Sequence, residues 1–161
     1  MTTSSVEQRL HDLGYAVPQV AAPVAAYVPA LRQGDLVFTS GQLPFVQGAL
    51  QATGKVGDGP EHVSPDTAKD CARLCALNAI AAVKSVVGDL DDVVRVVKVV
   101  GFVASDPSFT GQPGVINGAS ELLGEAFGAA GVHARSAVGV SVLPMDTPVE
   151  VEIVVAVRPA V

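Results

Sequence analysis

Near its C-terminus the chain reads Val149-Glu-Val-Glu-Ile-Val-Val-Ala-Val157, a run of β-branched residues that alternates at its start and sets Glu150 and Glu152 on one face. That pattern predicts a strand. Working outward, Pro144-Met-Asp-Thr-Pro148 reads as a turn, and Arg135 to Val142 as a second strand. Residues 109–128 predict a Gly-loosened helix with Leu122, Leu123, Ala126 and Phe127 as its apolar stripe. Val93 to Val103, interrupted only by Arg95 and Lys98, predicts a strand covered on both faces, broken by Asp106-Pro107.

Ser64-Pro65-Asp66 is a strong helix start. Ser can cap, Pro fits the first helical position, and Asp favours the positive end of the helix dipole. The helix passes through Ala68, Cys71, Leu74, Cys75, Leu77, Ala79 and Val83 and stops at Gly88. Residues 47–63 predict a turn and a long loop, and Leu36-Val-Phe-Thr39 a strand. Residues 16–30, with Pro18, Pro23 and Pro29, predict irregular chain. Val6, Leu10 and Leu13 predict a short helix ending at Gly14. The order strand, helix, strand, helix, strand, strand predicts an α+β layer: a sheet with two helices packed on one face. Residues 1–15 read as an N-terminal extension, and 16–161 as a single domain.

Charged residues make up 16% of the 161, against 49% hydrophobic; about 25% charged is usual. A small domain has much surface per volume, so scarce charge predicts that part of the surface is buried in an oligomer. Ten Lys+Arg against sixteen Asp+Glu give a net charge of −6, and no basic cluster suggests a nucleic-acid surface. No apolar run is long enough to span a membrane. Two Cys and no signal-peptide core fit a reducing cytoplasm.

Several motifs fail. Gly48 to Lys55 resembles a phosphate-binding loop, but its glycines are one residue too far apart and Val56 replaces the metal-binding hydroxyl. Cys71 and Cys75 lie one helical turn apart without a second ligand pair, since His11, His62 and His133 are scattered. They read as small core hydrophobes, and no metal is expected. Ser40 lacks the Gly-x-Ser-x-Gly frame of a nucleophile elbow.

One constellation survives. Arg135 opens a strand within His133-Ala-Arg-Ser136, while Glu150 and Glu152 share a face of the last. An Arg at a strand end can hold a planar anion by two parallel hydrogen bonds. A partly buried Glu can activate water. The competing reading is that Arg135 and Glu150 pair with each other, or that both Glu lie on a solvated face. His133 reads as a satisfied structural histidine or a polar group at the rim.

The chain resembles the RidA family, also called YjgF/YER057c/UK114 and formerly the L-PSP endoribonuclease family. The matching pieces are Tyr27; Gly34-Asp-Leu-Val-Phe-Thr-Ser-Gly-Gln-Leu-Pro44; the Ala-rich helix after Ser64; Val96-Val-Lys-Val-Val-Gly-Phe-Val103; and Ile116-Asn-Gly-Ala-Ser120. They continue with Ala134-Arg-Ser-Ala-Val-Gly-Val140, Leu143-Pro and Val149-Glu-Val-Glu-Ile153. His133 stands where many active members have Pro, Ala137 where Cys is frequent, and Ala25-Ala26-Tyr27 where Gly-Pro-Tyr is usual.

The resemblance implies a chorismate-mutase-like α+β fold, a mixed sheet, and a homotrimer whose three sheets form an inner barrel, with a ligand cleft at each subunit interface. It implies hydrolysis of enamine/imine intermediates such as 2-aminoacrylate to 2-oxo acids and ammonia, with no cofactor. Arg135 matches the residue that clamps the substrate carboxylate, and Glu150 the one that positions water. Tyr27, Ser40 and Asn117 match cleft-lining positions. A non-catalytic protein that binds a small carboxylate metabolite is the alternative. The ribonuclease activity of the older family name fits the net charge of −6 poorly.

Overall fold

A computed structural model describes residues 4–20 and 26–160. The elements are α1 (Ser5–Asp12), β1 (Ala30–Gln33), β2 (Leu36–Thr39), β3 (Phe45–Val46), β4 (Ala49–Leu50), α2 (Pro65–Val87), β5 (Val93–Ala104), α3 (Gln112–Phe127), β6 (Ala134–Val140) and β7 (Val149–Val157). The strands of the main sheet run in the order β1-β2-β7-β5-β6. Only β5 and β6 are parallel, joined through α3; the other pairs are antiparallel. The sheet is therefore mixed, as expected.

The long helix forms where its start and stop signals place it. The Ser64 hydroxyl accepts the Thr67 N–H at 3.1 Å, Pro65 opens the first turn, and Gly88 ends the helix at φ 80°. With α3 it covers one face of the sheet. That face carries Val96, Val99 and Val103 of β5 and Val149, Val151, Ile153 and Val155 of β7, all buried. The two helices touch so closely at Gly118 that a Cβ there would overlap the Lys69 carbonyl oxygen. Cys71 and Cys75 are free thiols inside this core, and burial pushes Cys71 up to about 11. No described helix is long and apolar enough to cross a membrane.

Three local differences from the sequence reading have physical reasons. The loop after Pro44 contains the small hairpin β3–β4, made possible by Gln47 and Gly48 at φ 50° and 81°, the twist that two-residue hairpin turns require. Ala30–Gln33 is a strand because Gly34-Asp35 folds it back on β2, pairing Gln33 with Leu36. The third difference concerns β5, which among the described residues of one chain is covered on a single face only.

On the opposite face lie Val100 and Phe102 of β5, paired with Glu152 and Glu150 of β7, and Val138 of β6, paired with Phe102. Phe38 pairs with Val154 and Leu31 with Phe38. Leu31, Phe38 and Val138 are 40–50% exposed there. The helices thus leave a broad, largely apolar sheet face bare.

The first helix docks on the same core. Val6 and Leu10 are buried, Arg9 Nη1 donates to the Ala126 carbonyl at 2.7 Å, and Lys84 of α2 pairs with Glu7. Its N-terminus is capped twice. Ser4 Oγ accepts the Glu7 N–H, and the Asp91 carboxylate accepts the N–H groups of Ser5 (2.8 Å) and Val6 (3.1 Å).

Candidate functional site

The five candidate residues fall into two groups on one chain. Arg135, near the start of β6, pairs in register with the buried Val99 and so points to the helix side of the sheet. Its Nη1 donates to Asn117 Oδ1 at 2.8 Å and to Ser120 Oγ at 3.2 Å. Its Nη2 donates to the Pro113 carbonyl at 3.2 Å. All three acceptors belong to α3, and all are neutral. Asn117 and Ser120 stand three residues apart, the spacing that puts two side chains on one helix face. Among the described residues no carboxylate pairs with Arg135. A guanidinium has five N–H donors, so donors remain for an anion.

His133 extends this group. Its Nδ1 lies 2.6 Å from the Gly131 carbonyl and its Nε2 lies 2.9 Å from Ser120 Oγ. Both ring nitrogens are engaged, so the ring is held rather than dangling at a rim.

The second group gathers around Glu150. This residue points to the bare face of the sheet, opposite Phe102. Its side chain runs over Gly41, where a Cβ would overlap Glu150 Oε1. Gly41 is kept in place by its neighbours. Gln42 exchanges two backbone hydrogen bonds with Val151 at 2.8 and 3.0 Å, and the Ser40 hydroxyl donates to the Val28 carbonyl at 2.7 Å. The latter bond ties Ser40 to the segment carrying Tyr27, a residue that is 48% exposed. The chain segments that carry Tyr27, Ser40 and Glu150 therefore adjoin one another. Burial, and then repulsion from Glu152, hold the Glu150 carboxyl above its ordinary value.

The two groups do not meet within the chain. Strand β5 lies between β6 and β7, and Arg135 pairs at Val99 whereas Glu150 pairs at Phe102. Strand spacing and rise put their backbones roughly 14 Å apart, and their side chains leave opposite faces of the sheet. The reading in which Arg135 and Glu150 neutralise each other inside one chain is thus overturned. Ser120 and Gly41 belong to the two groups and were not singled out by the sequence; the Asn117/Ser120 spacing was the available signal for Ser120. Among the described residues no three His, Cys, Asp or Glu side chains gather as metal ligands do.

Comparison with known proteins places the chain in a family. The curated relative TCP17 of Trypanosoma cruzi is 40% identical over 156 residues, 96% of each chain. A crystal structure from Agrobacterium tumefaciens, of unknown function, is 42% identical with a TM-score of 0.88, covering 96% of this chain and 93% of that one. A structure from Shewanella oneidensis, described as a "putative endoribonuclease", is 32% identical with a TM-score of 0.90, covering 97% and 100%. TdcF of E. coli, solved with bound serine, is 26% identical with a TM-score of 0.61, covering 87% and 94%. The family model described as "YjgF/chorismate mutase-like, putative endoribonuclease" matches residues 7–156. The chain belongs to the YjgF/RidA family.

Proposed function

We propose that the protein hydrolyses small 2-imino acids of the 2-aminoacrylate type to 2-oxo acids and ammonia, in a homotrimer. The observation that carries this reading is the Arg135 guanidinium, fixed by three neutral acceptors and lacking a carboxylate partner among the described residues. Such a group is suited to take a substrate carboxylate in two parallel bonds. Imine hydrolysis further needs a base that can hold water beside the C=N carbon. Glu150, with a raised pKa and no hydrogen-bond partner among the described residues, is suited to that task. The two groups would meet if the bare sheet face of one copy packed on another, so that Arg135 of one copy faced Tyr27, Ser40 and Glu150 of the next. A heterologous contact of this kind gives a ring when the rotation between copies closes, at three copies in this proposal.

The test couples the protein to a β-eliminating enzyme that releases 2-aminoacrylate and times ketoacid formation. Acceleration that is lost in Arg135→Ala is expected. No acceleration, or equal acceleration by the variant, overturns the proposal.

A second reading is a binding protein for small carboxylates without turnover. The serine held by TdcF, an amino acid and not an imine, favours it. Thermal stabilisation by 2-oxo acids that is lost in Arg135→Ala, without any acceleration in the coupled assay, would select it.

A further inference from the structure

The Arg135 guanidinium is engaged by α3 along one side. Nη1 gives both of its hydrogens, to Asn117 Oδ1 at 2.8 Å and to Ser120 Oγ at 3.2 Å, and Nη2 gives one to the Pro113 carbonyl at 3.2 Å. A guanidinium can hold a carboxylate in two parallel bonds from Nη1 and Nη2, or from Nε and Nη2. With both Nη1 hydrogens taken, only the Nε/Nη2 edge can do so. This holds while both partners of Nη1 remain acceptors. The Asn117 amide oxygen accepts and cannot donate. A serine hydroxyl can do either, so Ser120 needs a neighbour that turns its hydrogen away from Arg135.

His133 is that neighbour. A carbonyl cannot donate, so the 2.6 Å contact to the Gly131 oxygen makes Nδ1 of His133 the protonated nitrogen. In the neutral ring Nε2 is then an acceptor, and the Ser120 hydroxyl hydrogen points to it across 2.9 Å. A lone pair of Ser120 Oγ is left facing Nη1. Gly131 is itself fixed, because a Cβ there would overlap the Leu123 carbonyl oxygen; its backbone lies directly on α3. His133 is thus anchored to the helix that carries Asn117 and Ser120. We infer that Ser120 and His133 are positioning residues for Arg135: His133 sets the hydroxyl, Ser120 occupies Nη1, and the Nε/Nη2 edge is kept for the carboxylate. Neither residue needs to touch the ligand. This rests on Arg135 anchoring a carboxylate, and deepens that reading.

The test is a double-mutant cycle on the full chain, read by titration calorimetry with pyruvate at pH 8.5. Ser120→Ala, which suits a helix, leaves one Nη1 hydrogen unpaired and should weaken binding roughly five- to tenfold. His133→Leu removes the acceptor of the hydroxyl hydrogen and should weaken binding at least about twofold. Because His133 acts through Ser120, adding His133→Leu to Ser120→Ala should change nothing further, whereas two independent losses of packing would multiply. Thermal melts establish that the variants fold; His133→Phe, which likewise offers no acceptor, replaces the leucine if that chain does not. Affinity unchanged in Ser120→Ala overturns this inference alone, provided binding still depends on Arg135. Wild-type affinity in His133→Leu, or a loss that persists in full beside Ser120→Ala, overturns the role of His133. Absence of pyruvate binding, or binding that survives Arg135→Ala, overturns the anchoring role of Arg135 and this inference with it.

Discussion

The Glu150 carboxylate occupies the space that a methyl group on Gly41 would fill. Gly41→Ala should therefore push the carboxylate aside while leaving the backbone bonds of Gln42 to Val151 intact. Misplacing a reacting group by about 1 Å can cost a hundredfold in rate. A fall in kcat/KM of about tenfold or more is expected in the coupled ketoacid assay, with circular dichroism unchanged. Wild-type activity would show that the position of this carboxylate is immaterial.

The raised pKa of Glu150 has two measurable signs. If the carboxylate is the base, activity requires its ionised form. The acid limb of the kcat/KM profile should then lie above the ordinary glutamate value of 4.5, and Glu150→Gln should remove it. For stability the sign follows from linkage. A folded-state pKa above the unfolded one contributes stability that is present below pH 4.5 and is lost as pH rises through the folded value. Glu150→Gln should thus melt higher than wild type at pH 7, with the difference vanishing near pH 4.

Phe38 and Val138 stand on the bare sheet face, 40% and 44% exposed. Placing a charge there should oppose burial against a second copy. Phe38→Asp is expected to give a monomer by native mass spectrometry and to lose ketoacid formation. A monomeric wild-type protein would contradict the shared-site reading outright.

At the other end of the fold, Asp91 caps α1 through Ser5 and Val6, and these bonds hold its carboxyl below the ordinary 3.8. A depressed pKa gives stability that is present above pH 3.8 and lost as pH falls through the folded value. Asp91→Ala should cost about 1 kcal/mol in urea unfolding at neutral pH. The loss should shrink in high salt and disappear at strongly acid pH.

Much of the fold was legible because its signals are local. Ser64-Pro65 and Gly88 bound α2, and the Val/Glu alternation from Val149 marks β7. What sequence could not supply was the hairpin β3–β4, whose two-residue strands depend on positive φ at Gln47, a residue without that habit. Nor could it pair Ala30–Gln33 with β2, since four residues carry too little periodicity. For the site, the residue types were readable, but their separation was not. That Arg135 and Glu150 leave opposite faces follows from the register of β5 against both neighbours. Register depends on two bulges in β5, between Val93 and Arg95 and between Val96 and Lys98. A run of valines does not announce them.

The distance between Arg135 and Glu150 along the sheet has a genetic corollary. If each working cleft draws its arginine from one polypeptide and its glutamate from another, two inactive alleles can rescue each other. Arg135→Ala and Glu150→Gln chains, mixed during refolding, should populate clefts that inherit both native groups, about one quarter of them under random association around a heterologous ring. Two coexpressed, individually silent genes would then behave as a single weakly functional one.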